Sequence, residues 1–298
     1  MVGGGHRPRP WPFAPPLRIL VPANPASSSN AVKLLTVARD LQRRKARERQ
    51  QRFVAEGVRT VETLLASPLH VVGLLVTEAL RQTERGQSLI ATVDARGLPV
   101  QEVSEEELAS AADTETPQGV LAVAEIPIRG LDPAPVGARY LVLDALQDPG
   151  NVGTVIRTAA AMGVTATVVL PGTVDVWNAK VVRSSMGALF LHPVVTMSWE
   201  DLAAFIGTAG APVALWAADM EGLPVDQLDR HPLPPRLALV VSNEGAGLSP
   251  HVAAAVHSTV SIPMAEGVES LNVAVAAGIL LYSLRGGTIV ASPVSRSS

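Results

Sequence analysis

Leu143-Asp-Ala-Leu-Gln-Asp-Pro-Gly-Asn-Val-Gly-Thr-Val-Ile-Arg-Thr-Ala-Ala-Ala-Met-Gly163 opens as an apolar strand, breaks at Asp148-Pro-Gly150 and resumes with apolar residues at helical spacing. Two later stretches are built the same way. In Leu239-Val-Val-Ser-Asn-Glu-Gly-Ala-Gly-Leu248 a strand runs into a glycine-rich turn. In Ile262-Pro-Met-Ala-Glu-Gly-Val-Glu-Ser-Leu-Asn-Val-Ala-Val-Ala-Ala277 a strand end meets Pro263, a loop and then an apolar helix. Strand, break and helix in alternation is the pattern of a parallel sheet covered by helices. Polar residues sit at all three breaks, and ligands bind outside the carboxyl ends of the strands in such sheets.

Working outward, the same alternation predicts strands at Tyr140–Leu143, Ala166–Val169, Pro193–Val195, Val213–Trp216, Leu237–Val241 and Thr259–Ile262. Helices are predicted between them at Val152–Met162, Asn178–Met186, Trp199–Thr208, Pro250–Val256 and Leu271–Leu284. The reading is a doubly wound, mostly parallel domain over residues 138–286, with a loose tail at 287–298. Proline and glycine mark residues 127–137 as a linker. Residues 33–126 read as a smaller α/β domain. Its predicted helices are Val58–Ala66, Glu78–Gln82 and Glu105–Ala112, and its strands Val71–Val76, Leu98–Val103 and Gly119–Glu125.

A single basic helix is predicted from Ala31 to Gln51, carrying Arg39, Arg43, Arg44, Lys45, Arg47 and Arg49. Such a run is a solvated face or a contact to RNA phosphates, which suit the arginine fork. Residues 1–32 contain seven prolines and no acidic residue. They read as a disordered extension. The alternative is an organelle transit peptide, although that many prolines oppose the amphipathic helix such peptides form.

Composition narrows the chemistry. The 298 residues suffice for two domains, and a hydrophobic content of 47% allows a large core. A net charge of −3 means that any nucleic-acid contact must come from a local patch. The absence of cysteine removes disulfides, thiolate catalysis and cysteine-ligated metals, and fits a reducing cytosol. The six histidines lack metal-ligand spacing, so no metal is expected. The apolar run Val273–Tyr282 is too short to span a bilayer, so no membrane is expected.

Among the polar residues at the breaks, Asn151 is placed to cap the helix that follows it. Arg157 lies on an otherwise apolar helix and requires a partner or an exit to solvent. Glu244 sits between a strand end and Gly245, and Ser270 is placed to cap the last helix. A Rossmann phosphate loop is a second reading of the first break, but the full Gly-x-Gly-x-x-Gly pattern is missing.

The order and content of the three stretches resemble the SpoU (TrmH-type) RNA 2′-O-ribose methyltransferases of the SPOUT superfamily. Phe53-Val-Ala-Glu-Gly57 and Thr116-Pro-Gln-Gly-Val-Leu-Ala122 resemble landmarks of the substrate-recognition domain that many members carry in front. Ser184-Ser-Met-Gly187 resembles a further family segment, one that could face RNA or cofactor. The resemblance implies a trefoil-knotted catalytic domain that holds S-adenosylmethionine largely by main-chain contacts. Those contacts fall on Ser242, Ile262 and Leu271, with Gly245 and Met264 nearby. It also implies a catalytic set of Asn151, Arg157, Glu244, Ser270 and Asn272. One departure is Ser242, where many members have glycine. The implied substrate is RNA, ribosomal before transfer, and the implied assembly is a cytoplasmic homodimer. Two other readings stay open: an RNA-binding protein of this fold without catalysis, and a nicotinamide-dependent dehydrogenase.

Overall fold

The computed structural model describes residues 34–284 apart from His231, Glu244, Ala246 and Glu269. The expected N-terminal extension and C-terminal tail lie outside the described residues. The chain is α/β and divides into two compact units. One contains the described residues up to Leu131 with Asp148–Thr167 and Val174–Val195. The other contains Asp132–Gln147, Val168–Thr173 and the described residues from Thr196 onward.

The first unit opens with α1 (Leu34–Asp40), α2 (Arg44–Gln50), β1 (Arg52–Glu56), α3 (Val58–Ala66) and β2 (Val71–Val76). It continues with α4 (Glu78–Arg81), α5 (Glu84–Ala95), β3 (Val100–Glu102), α6 (Glu105–Ala109) and β4 (Val120–Glu125). Its sheet has the order β1-β4-β2-β3, with β4 antiparallel to β1 and β2, and β3 parallel to β2. The apolar runs of β2 and β4 are buried almost throughout, as central strands covered on both faces should be.

Three expectations change here. The basic helix is two helices, broken at Leu41–Arg43. The break lets Arg47 turn inward and donate to the Leu41 and Gln42 carbonyls at 2.7 and 2.8 Å. Arg47 also forms a buried ion pair with Asp175 at 2.6 Å, so this arginine is structural rather than solvated. Second, Phe53–Glu56 belong to a strand that is not among those predicted. Third, α5 has no counterpart among the predicted helices. Its apolar periodicity is weak, and Thr83 starts it by accepting from the Gly86 N–H at 3.0 Å.

The same unit contains α7 (Pro149–Ala161), α8 (Ala179–Ser184) and α9 (Ala188–Leu191), so the predicted helix Asn178–Met186 ends early at Ser184. Phe53 of β1 packs against Trp177 and Phe190, with ring centroids 4.6 and 5.8 Å apart. Such aromatic pairs contribute about 1 kcal/mol each beyond area burial. Glu56, also on β1, is buried and accepts from the Asp113 N–H at 3.0 Å and from the Thr114 hydroxyl. Gln118 reaches back to accept from the Val58 N–H that starts α3. These contacts give the two front-domain landmarks a physical role as the clasps of this sheet.

The second unit carries β5 (Arg139–Asp144), α10 (Trp199–Ile206), β8 (Ala214–Pro224), a 3-10 turn (Val225–Arg230) and β9 (Leu237–Ser242). It ends with α11 (Pro250–Ala255), β10 (Ser258–Ser261) and α12 (Val273–Leu284). With β6 (Ala166–Val169) and β7 (Val194–Thr196), the strands form a sheet of order β10-β8-β9-β5-β6-β7. The pairs β10/β8, β8/β9 and β9/β5 are parallel. β8 is longer than predicted because it bows outward: its register to β10 jumps from Ala217 to Leu223. Gly222 makes the return possible, since a β-carbon there would lie 2.5 Å from the backbone of Thr259 and Val260.

Candidate active site

In the first unit, the break at Asp148-Pro-Gly150 is the start of α7. Asp148 is the N-cap, its carboxylate accepting from the Asn151 N–H at 2.7 Å, and Pro149 follows at the first helical position. The expectation that Asn151 is the cap is therefore corrected. The helix begins three residues earlier, and Asn151 stands within its first turn. Asn151 is half-buried, while Thr154 and Arg157 are exposed; steps of three residues keep all three near one face. Arg157 forms no ion pair among the described residues.

The opposite face of α7 buries Val152, Gly153, Val155, Ile156 and Ala159. Gly153 is set against α8, where an added β-carbon would meet the Ser184 hydroxyl at 1.9 Å and the Val181 carbonyl at 2.7 Å. The Ser184 hydroxyl is in turn within hydrogen-bond reach of the Pro149 carbonyl, at 3.1 Å. The turn that carries Asn151 is thus held on α8.

In the second unit, Ser242 ends β9 directly opposite Asp144 at the end of β5. Asp144 is buried and accepts from the Ser249 N–H at 2.7 Å, closing the turn after β9 onto the neighbouring strand. Inside that turn, Asn243 accepts from the Gly245 N–H at 2.8 Å with its side chain, and from the Gly247 N–H at 3.0 Å with its carbonyl. Glu244 lies outside the described residues. Because β8, β9 and β10 run parallel, Ser242 and Ile262 emerge at the same edge of the sheet. Met264, Ser270, Leu271 and Asn272 follow on the segment between β10 and α12.

Asn272, not Ser270, caps α12: its side chain accepts from the Ala274 N–H at 3.0 Å and its carbonyl from the Ala276 N–H at 2.9 Å. Ser270 is exposed, two residues before the cap. The helix starts later than predicted because asparagine offers a capping oxygen two residues closer to the apolar run. Ile262, Met264 and Leu271 are half-buried, and among the described residues their main-chain groups have no hydrogen-bond partner. Free donors and acceptors at a strand edge beside apolar side chains suit a small molecule held by the main chain. Among the described residues no group of three His, Asp or Glu could hold a metal.

Sequence reading missed Asp144 and Asp148 as organisers of the two turns. Both had signals: an acidic residue ending an apolar strand, and an aspartate immediately before a proline.

The chain is similar to known proteins over most of its length. A model of the SpoU rRNA methylase family matches residues 138–282, and one of the MRM3-like substrate binding domain matches residues 31–122. The Bacillus subtilis (strain 168) protein named 23S rRNA (guanosine(2553)-2′-O)-methyltransferase RlmP is 36% identical, the match covering 83% of this chain and 93% of that one. The SpoU methyltransferase AviRb from Streptomyces viridochromogenes, solved in complex with the cofactor AdoMet, superposes with a TM-score of 0.74 at 29% identity, covering 86% of this chain and 97% of that one. An AdoMet-bound rRNA methyltransferase from Sinorhizobium meliloti superposes with a TM-score of 0.71 at 28% identity, covering 87% and 96%.

Proposed function

The chain belongs to the SpoU rRNA methylase family, and from that premise we propose that it transfers a methyl group from S-adenosylmethionine to a ribose 2′-hydroxyl of ribosomal RNA. The observation that carries this reading is the exposed face of α7, where Asn151 is followed by an Arg157 that no carboxylate neutralises among the described residues. Of the relatives named above, two are named rRNA methyltransferases and the third a SpoU methyltransferase, and two were solved with AdoMet bound.

When bound, S-adenosylmethionine supplies an electrophilic methyl group on a positive sulfur. The protein must then do three things. It must hold the cofactor, for which we assign the main-chain groups of Ser242, Ile262 and Leu271, with Gly245 and Met264 beside them. It must orient the ribose, a task given to Asn151, Ser270 and Asn272. It must also help the weakly acidic hydroxyl to lose its proton. Arg157 does this electrostatically, together with an RNA phosphate, as a fixed cation beside the oxygen on which charge develops. Glu244 orders the turn after β9 in this scheme.

Residues 33–126 are assigned to recognition of the RNA, 127–137 to the linker and 138–286 to catalysis, with the trefoil knot expected in the catalytic part. The active form is taken to be a cytoplasmic homodimer. The dimer is supported by α12, which exposes Val275, Ile279 and Tyr282 along one side. Apolar residues four and three positions apart form a continuous stripe, and such a stripe is normally covered. No helix among the described residues is long and apolar enough to cross a membrane.

The test is a map of 2′-O-methyl positions in ribosomal and transfer RNA, with and without the gene. One ribosomal position should lose its methyl group and regain it when purified protein and S-adenosylmethionine are added to the unmethylated RNA. A loss confined to transfer RNA would move the substrate to that class. No change in either RNA, with no methyl transfer in vitro, would leave an RNA-binding protein of the same fold.

A further inference from the structure

Met186 occupies a backbone position that ordinarily takes glycine. Helix α8 ends at Ser184, and the Ser185 N–H closes its last turn on the Val181 carbonyl at 2.9 Å. Met186 follows at φ 51, donating its N–H to the Arg183 carbonyl at 3.1 Å. The left-handed residue after a helix is usually glycine, because a β-carbon is strained there. Gly187 is left-handed as well, at φ 84. Two consecutive left-handed residues thus join α8 to α9, and only the second is glycine.

The Met186 side chain does not offset that strain by burial, since 56% of its surface is exposed. Nor is the loop free to relax. Ser185 is fully buried, with its hydroxyl donating to the Val182 carbonyl at 2.8 Å, and the Ala188 N–H donates to the Ser185 carbonyl at 3.0 Å. Gly187 is pressed on α3, where an added β-carbon would lie 2.4 Å from the Thr63 methyl. Both α8 and α9 pack on α7, the helix of Asn151 and Arg157. The surrounding helices α3, α7 and α8 expose Arg59, Arg157 and Lys180, charges that suit a phosphate backbone.

Strain held rigidly at a surface points to function. We propose that Met186 is a fixed apolar wedge that takes up the nucleobase next to the methylated nucleotide, splaying the RNA so that the target ribose is presented to α7. This rests on the RNA methyltransferase reading given above. Apolar side chains wedge between base steps in nucleic-acid complexes, and the polarizable sulfur of methionine packs favourably on aromatic rings.

The experiment compares the full-length protein with Met186→Gly and Met186→Leu, using an unmethylated 23S rRNA transcript as probe. Glycine relieves the left-handed strain and removes the wedge. Met186→Gly is therefore expected to melt at the same temperature or higher and to bind S-adenosylmethionine as before. Its kcat/KM on the transcript should fall about tenfold or more, mainly through KM, since stacking on a base is worth about that much. Met186→Leu should stay within about threefold of the parent. A glycine variant with full kcat/KM overturns the proposal, as does one whose melting temperature drops, because the methionine would then serve the fold. If the parent protein transfers no methyl group to the transcript, the reading of 23S rRNA as its substrate falls instead. The wedge is then judged on transcript binding alone, where the glycine variant must bind about tenfold more weakly or the proposal fails.

Discussion

Arg157 and His192 show two opposite uses of a basic side chain. Arg157 stays in water on α7, available for an anion. Replacing it with alanine should lower methyl transfer by about three orders of magnitude or more, while S-adenosylmethionine binding by calorimetry stays near that of the parent. Normal turnover in this variant would remove Arg157 from the mechanism. His192, by contrast, is buried, with its Nε2 2.9 Å from the Thr167 hydroxyl and its carbonyl accepting from Arg129. Burial, with a smaller contribution from the Arg129 charge, pushes its pKa down from 6.5 to about 3. The native ring is therefore neutral, whereas the unfolded chain takes up a proton below pH 6.5. Its contribution to stability is complete above that pH and is lost as pH falls towards 3. The slope reaches about 1.4 kcal/mol per pH unit. His192→Gln should flatten the pH dependence of urea unfolding between pH 4 and 6.5, and an unchanged slope would show that other groups control it.

At the scale of elements, the contact of α7 with α8 is closer than side chains normally allow. Gly153→Ala should force the helices apart at the Ser184 hydroxyl and the Val181 carbonyl. Overpacking of this kind costs about 1–3 kcal/mol, measurable by chemical denaturation. Methyl transfer should fall with it, because Pro149 and Asn151 ride on the displaced turn. Elements with strong apolar periodicity or an apolar run, such as β4, β6 and β9, were readable within a residue or two. The misread ones have a physical excuse. α5 is too polar for its periodicity to stand out. The split of the basic helix depends on Arg47 turning towards Asp175, 128 residues away in the sequence. The early end of α8 depends on two left-handed residues, and methionine gives no warning of such a backbone.

For the whole molecule, a net charge of −3 leaves RNA binding to local cations rather than to a global field. Several candidates in the basic run are already ion-paired: Arg43 and Arg49 share Asp40, Arg44 pairs with Glu48 and Arg47 with Asp175. Lys45 and Arg52 form no ion pair among the described residues, and so remain candidates for phosphate. Assembly is proposed to follow the α12 stripe. Ile279→Glu places a charge at its centre, on a residue that is 38% exposed. The variant should elute as a monomer in size-exclusion chromatography with light scattering, and methylate RNA poorly. A variant that keeps the parent's mass would move the interface elsewhere.

The residue order alone determined the alternation of strands and helices, the places where each strand breaks, and the polar residues at those breaks. It could do so because apolar spacing, proline, glycine and capping residues act through neighbours a few positions away. The tertiary structure decided what distant residues do to one another. It set Asp144 opposite Ser242 and tied it to Ser249, gave the α7 cap to Asp148 and the α12 cap to Asn272, and buried Arg47 while leaving Arg157 in solvent. Register, close helix contact and burial arise from groups brought together across long stretches of chain, and no local pattern encodes them.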